Sequence, residues 1–205
     1  MLTVGLTGNV ASGKSSVAQL WSEAGVPVVR ADDLARQVVA PGSPGLGRVV
    51  QEFGADLLEP DGSLNREALR EEAFRSPERL QALERILHPL IREERDRWLA
   101  TQEEAGTLLA VAEVPLLFEA GLQEDFDAVV LVVAREEERL RRLVEIRGWT
   151  EEESARVMGA QMPEREKVSR ADFILDNHGS LQDLEVRAMA LLDLLRARSR
   201  RDGRR

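Results

Sequence analysis

Gly8-Asn9-Val10-Ala11-Ser12-Gly13-Lys14-Ser15 fits the pattern G-x-x-x-x-G-K-[ST] at every fixed position, and each fixed residue has a chemical reason. Gly8 and Gly13 let the backbone turn tightly and come close to a phosphate, so that successive N–H groups point inward. Lys14 is placed to reach the β- and γ-phosphates of a nucleotide, and the Ser15 hydroxyl to ligate Mg²⁺. Gly8, Ala11, Ser12, Gly13, Lys14, Ser15 and Ser16 are the expected phosphate cradle. Composition sharpens this: of 28 lysines and arginines, only Lys14 and Lys167 are lysine. A chain that writes nearly every cation as arginine keeps lysine where a compact ammonium is needed. The competing reading is a glycine turn that happens to spell the motif.

Such a loop must sit between a strand and a helix. Residues 2–6 are a short apolar run of strand formers, and residues 16–24 keep Val17, Ala18, Leu20 and Trp21 at helical spacing. The helix N-terminus adds about half a positive charge behind the loop. Residues 26–29 read as a second strand, followed by Asp32 and Asp33. A carboxylate just past a strand end is well placed for chemistry, since ligands of open parallel sheets bind there. It serves equally well as a cap for a helix starting near Leu34. Residues 107–114 return to sheet character, and Glu113 near their end is either a carboxylate behind the Mg²⁺ or a salt-bridged charge. Residues 128–133 are apolar throughout, as in a strand buried on both faces. Asp172 to Leu175 make a fifth short strand, ended by Asp176-Asn177-His178-Gly179.

Between the second and third strands, residues 34–104 carry only helical patterns. Ser43-Pro44, Ser76-Pro77 and Asn65 mark helix starts. His88 precedes Pro89 and reads as an end-of-helix hydrogen-bonding group or as a site residue. Residues 136–168 are rich in Glu and Arg at helical spacing, which fits a solvated helix or, given the phosphate loop, a lid carrying arginines. Thr150 with Glu153 is a capping box. Ser180 and Asp183 cap a last amphipathic helix, and the basic tail from Arg196 to Arg205 is expected to fray. The organisation expected is a core of 1–33, 105–135 and 169–205, a helical insertion of 34–104 and a lid of 136–168.

With 205 residues the chain suits one α/β domain with insertions. Its net charge of −9 argues against a general nucleic-acid binder. The absence of cysteine excludes disulfides, thiolate zinc sites and a cysteine nucleophile. The apolar runs are too short for a membrane span, and strand residues from position 2 leave no room for a signal peptide, so a cytoplasmic protein is expected.

Taken together these segments resemble the dephospho-CoA kinase family over nearly the whole chain. Ala31-Asp32 with Leu34-Ala35-Arg36-Gln37-Val38-Val39 is similar to the family's D-A-D segment and its continuation. Pro41-Gly42, Phe53-Gly54, Leu87-His88-Pro89-Leu90-Ile91, Val114-Pro115-Leu116-Leu117-Phe118-Glu119 and Ala171-Asp172 through Asn177 look like its later landmarks. Arg30 stands where the family's segment begins with an acidic residue, and Asn9 and Ala11 where glycine is common. The resemblance implies a P-loop, nucleotide-kinase-like parallel sheet with a helical CoA-binding insertion and a helical lid. It implies transfer of the ATP γ-phosphoryl group to the 3′-hydroxyl of dephospho-CoA, the step completing coenzyme A. By the same resemblance Asp32 is the base, Lys14, Arg139 and Arg142 neutralise the transferring group, His88 lies in the acceptor site and Asn177 beside the adenine. Another small-molecule kinase, a GTPase switch and a non-catalytic ATP-binding module are the rivals; no N-K-x-D stretch supports the switch.

Overall fold

The computed structural model describes residues 1–202. It divides into two compact units, one of Met1–Val29 with the chain from Thr101 onward, the other of Arg30–Ala100.

The first unit holds the sheet. Its strands are β1 (Leu2–Gly8), β2 (Val28–Arg30, whose last residue opens the second unit), β3 (Leu109–Glu113), β4 (Ala128–Val133) and β5 (Phe173–Asp176). They lie in the order β2-β3-β1-β4-β5. β1 runs parallel to β3 and to β4, and β4 parallel to β5. β3 and β4 are buried at every residue, as an apolar run covered on both faces requires. The chain leaves β1 toward the β2 side and β4 toward the β5 side. Their neighbouring carboxyl ends therefore part, and such a switch point is where open α/β sheets bind ligands.

Around the sheet run α1 (Lys14–Glu23), α6 (Glu136–Arg147), α7 (Glu151–Gly159), α8 (Glu164–Val168) and α9 (Leu181–Asp202). Val4, Leu6, Val17, Trp21, Val130, Leu184, Leu192 and Leu195 form its core. Each such side chain contributes on the order of 1.5–3 kcal/mol on burial. Trp21 Nε1 donates to Ala188 O at 2.9 Å, which ties α1 to α9. The Thr150 capping box opens α7, with both reciprocal bonds made. Ser180 and Asp183 form a second one ahead of α9. α9 stays helical through Asp202, so the expected fraying of the tail is not found up to that residue; positions 203–205 lie outside the described residues. Among the described residues no helix is long and apolar enough to cross a membrane.

The second unit contains α2 (Ala31–Gln37), α3 (Pro44–Phe53), α4 (Arg66–Ala73) and most of α5 (Pro77–Glu104). The Ser43, Asn65 and Ser76 side chains accept first-turn N–H groups as their caps. Val39, Leu46, Val49, Leu57, Leu64 and Leu69 make its core, with Leu83, Ile86 and Leu87 packed against them. Two expectations are corrected here. α2 begins at Ala31, with Arg30 as its cap residue and no side-chain cap, so Asp32 and Asp33 lie in its first turn and cap nothing. α5 runs unbroken through Pro89, so His88 is in mid-helix rather than at a helix end. A proline there removes one backbone bond and costs about 3 kcal/mol. Packing of Leu83, Ile86 and Leu87 ahead of the proline, and of Leu90 against the Gly45 backbone beyond it, offsets that cost.

Candidate active site

The phosphate loop follows β1. Gly8 has φ +152° and Gly13 φ +102°, the latter as N-cap of α1. No side chain caps α1, and its first turn has no acidic residue. No carboxylate of its own first turn therefore meets the positive end of the helix dipole, which favours an anion there. Ala11, with φ +58°, is the one non-glycine in the left-handed region among the described residues. Holding alanine there costs on the order of 1–2 kcal/mol.

Lys14 starts α1 with its side chain only 9% exposed. Its Nζ donates back across the loop to Asn9 O at 3.0 Å. Ser15 Oγ donates to Glu113 Oε1 at 2.9 Å, which joins the loop to the end of β3. The hydroxyl proton points at the carboxylate, so the oxygen lone pairs are available to a hard cation. Ser12 is fully buried and Ser16 exposed. Among the described residues no group of three or more His, Cys, Asp or Glu side chains could hold a metal by itself.

Asn177 directly follows β5 and is buried. Its Nδ2 donates to Ser12 O at 2.7 Å, so this amide braces the loop from behind. A Cβ on Gly13 would lie 2.3 Å from that nitrogen. Arg142, on α6, donates from Nη1 to Ala11 O at 3.1 Å and from Nη2 to Asn177 O at 3.5 Å. Arg139, one turn earlier, is only 6% exposed, and its Nε and Nη1 find no hydrogen-bond partner among the described residues. A guanidinium buried that deeply costs free energy unless an anion meets it. Arg141 of the same helix is exposed and paired to Glu138 at 2.8 Å, the solvated face that the charge pattern also allowed. That pairing draws the Glu138 carboxyl below its ordinary range and raises Arg141, in both cases chiefly through their mutual side-chain hydrogen bond.

The structure therefore brings together Gly8, Ala11, Ser12, Gly13, Lys14, Ser15, Glu113, Arg142 and Asn177. Asp32 and His88 belong to the other unit. Asp32 is exposed in the first turn of α2, while Asp33 pairs with Arg36 at 3.7 Å. His88 is exposed along a shallow depression lined by Gln81, Glu84, Arg85 and Pro89.

Three polar residues near the loop were not found from sequence. Gln161 Oε1 accepts the Val10 N–H at 2.7 Å. Glu119 Oε1 accepts the Met162 N–H at 3.1 Å and lies 2.6 Å from Lys167 Nζ. The scarcity of lysine was the available signal for Lys167, which proves to be fully buried.

The dephospho-CoA kinase family model matches residues 2–183. A dephospho-CoA kinase of Corynebacterium glutamicum is 45% identical over 192 residues, which cover 94% of this chain and 96% of that protein. The crystal structure of TT1252 from Thermus thermophilus superposes with a TM-score of 0.79 at 39% identity, over 95% of this chain and 97% of that one. A dephospho-CoA kinase from Campylobacter jejuni, 24% identical, shares the fold with a TM-score of 0.72 over 93% and 95% of the two chains. The chain belongs to the dephospho-CoA kinase family of ATP-dependent P-loop kinases.

Proposed function

We propose that the chain transfers the γ-phosphoryl group of ATP to the 3′-hydroxyl of the dephospho-CoA ribose, giving coenzyme A and ADP. The observation that carries this reading is the uncapped N-terminus of α1 behind Gly13, with Ser15 Oγ 2.9 Å from Glu113, in a chain matching the family over residues 2–183. The loop backbone around Gly13 and the N-terminus of α1 cradle the phosphates with Lys14. The oxygen donors present fit Mg²⁺, which takes one or two protein oxygens and otherwise water and substrate phosphate. Ser15 would be the ligand and Glu113 the carboxylate behind it; when bound, the ion would supply charge neutralisation for the transferring phosphoryl group.

Asp32 accepts the 3′-hydroxyl proton as that oxygen attacks the γ-phosphorus; the bond to the bridging oxygen breaks and its electron pair leaves with ADP. Asp33 is the poorer candidate because Arg36 already pairs with it. Arg139 and Arg142 meet the charge of the transferring group, a role that the unpartnered, buried Nε and Nη1 of Arg139 support. Residues 34–104 bind the acceptor with His88, 136–168 form the lid, and Asn177 lies beside the adenine.

ADP release should require dephospho-CoA in a panel of acceptors, and phosphorus NMR should show a new ribose 3′-monoester. Asp32→Asn should lower turnover on the order of 10²–10⁴-fold with ATP binding retained, and Asp33→Asn far less. Lys14→Ala and Lys14→Arg should both abolish transfer, since a planar guanidinium does not replace a point charge. Phosphorylation of a nucleoside in place of dephospho-CoA would overturn the substrate assignment.

A further inference from the structure

The apex of the phosphate loop is gripped on both sides of one peptide. Val10 donates its N–H to Gln161 Oε1 at 2.7 Å, and Ala11, the next residue, gives its carbonyl to Arg142 Nη1 at 3.1 Å. Between these two groups lies the Ala11 backbone at φ +58°, a conformation that alanine leaves readily when nothing holds it. Both grips come from the 136–168 segment, from opposite ends of it: Arg142 from α6 and Gln161 from the turn between α7 and α8. Gln161 itself is anchored. The next residue, Met162, donates its N–H at 3.1 Å to Glu119 Oε1, and that same oxygen faces the fully buried Lys167 ammonium at 2.6 Å. A carboxylate fixed by a buried cation thus sets the backbone beside Gln161, and Gln161 sets the apex of the loop.

We infer that Gln161 is a positioning residue for ATP: it holds the strained Val10–Ala11 peptide in the shape in which the loop N–H groups converge on phosphate. This rests on the reading that the loop binds ATP. The residue touches neither the acceptor nor the reacting atoms, so its effect belongs to ATP affinity and not to the chemical step.

The test is ATP binding by calorimetry together with steady-state kinetics on the full chain. Gln161→Leu removes the acceptor at similar size. Kd and KM for ATP should rise roughly fivefold, the factor one neutral hydrogen bond is worth, with kcat and the KM of the acceptor within twofold. The rescue is specific. Glycine adopts positive φ without strain, so adding Ala11→Gly to Gln161→Leu should shrink the increase caused by Gln161→Leu to twofold or less. A merely structural role predicts a lower melting temperature and no rescue. Unchanged ATP affinity in Gln161→Leu, or an Ala11→Gly background that leaves the penalty intact, overturns the inference. Wild-type protein that fails to bind ATP at all would instead overturn the reading on which it rests.

Discussion

Gly13→Ala tests whether the loop's second glycine is required by the fold even without a ligand. Two costs can be worked from the structure. The backbone at φ +102°, ψ 13° is unfavourable for any residue with a Cβ, by about 1–2 kcal/mol. The new Cβ would also fall 2.3 Å from Asn177 Nδ2, so the amide must move and its 2.7 Å bond to Ser12 O is lost in a buried setting. An unsatisfied buried carbonyl costs about 1–3 kcal/mol. The sum is roughly 2–5 kcal/mol, and at about 2–4 °C per kcal/mol for a chain of this size it lowers Tm by roughly 4–20 °C. The diagnostic measurement is a double-mutant cycle with Asn177→Ala, followed by circular dichroism. Asn177→Ala removes the obstructing amide, so adding Gly13→Ala to it should cost only the backbone strain. The coupling should then be about 1–3 kcal/mol. Additivity within about 0.5 kcal/mol would refute the argument, because the amide could not then be what limits residue 13.

Two more outcomes follow from charged groups outside the loop. Lys167 is wholly buried while the Glu119 side chain keeps 21% exposure, so the two ends of the pair are unequal. Glu119→Gln strands the buried ammonium and should cost up to about 3–5 kcal/mol, whereas Lys167→Met leaves a carboxylate that water can reach and should cost less; thermal melts in the reverse order would refute this. At Asp183 the Ser180 hydroxyl and backbone N–H bonds hold the carboxyl below its ordinary range. A depressed folded pKa means stability present above the unfolded value and lost as pH falls through the folded one. From pH 5 to 2.5 the wild type should therefore lose more Tm than Asp183→Ala, and parallel Tm curves would contradict the assignment.

What could be read in the sequence was local. The Ser43, Asn65, Ser76 and Thr150 caps are decided by residues three or four positions apart, and each is made as expected. The β4 run announces its double burial in its own composition. Local rules misled where distant packing overrode them, as at Pro89, where hydrophobic contacts on both flanks keep α5 continuous. They also misled at Asp32 and Asp33, since α2 starts directly on β2 with Arg30 in the cap position and both aspartates already inside its first turn. The partners of Gln161, Glu119 and Asn177 had no local signal. Their partners Val10, Lys167 and Ser12 stand 151, 48 and 165 positions away, and only the fold brings them together.

The two motif glycines show why a pattern match alone does not separate a phosphate loop from a turn that spells it. At Gly8 a Cβ would meet Val132 O at 2.4 Å, and at Gly13 it would meet Asn177 Nδ2 at 2.3 Å. Both glycines are therefore demanded by packing within the sheet unit, and a turn with no ligand would keep them too. Lys14 is different. A bare turn has no use for a long cation held at 9% exposure with its Nζ on Asn9 O, whereas a phosphate site needs one beside the loop. The same holds for Arg139, buried with two unpartnered donors on the segment whose Arg142 touches the loop. Those unpartnered donors, one helical turn from the arginine that touches the loop, are a cost to the empty fold, and an anionic ligand is what offsets it.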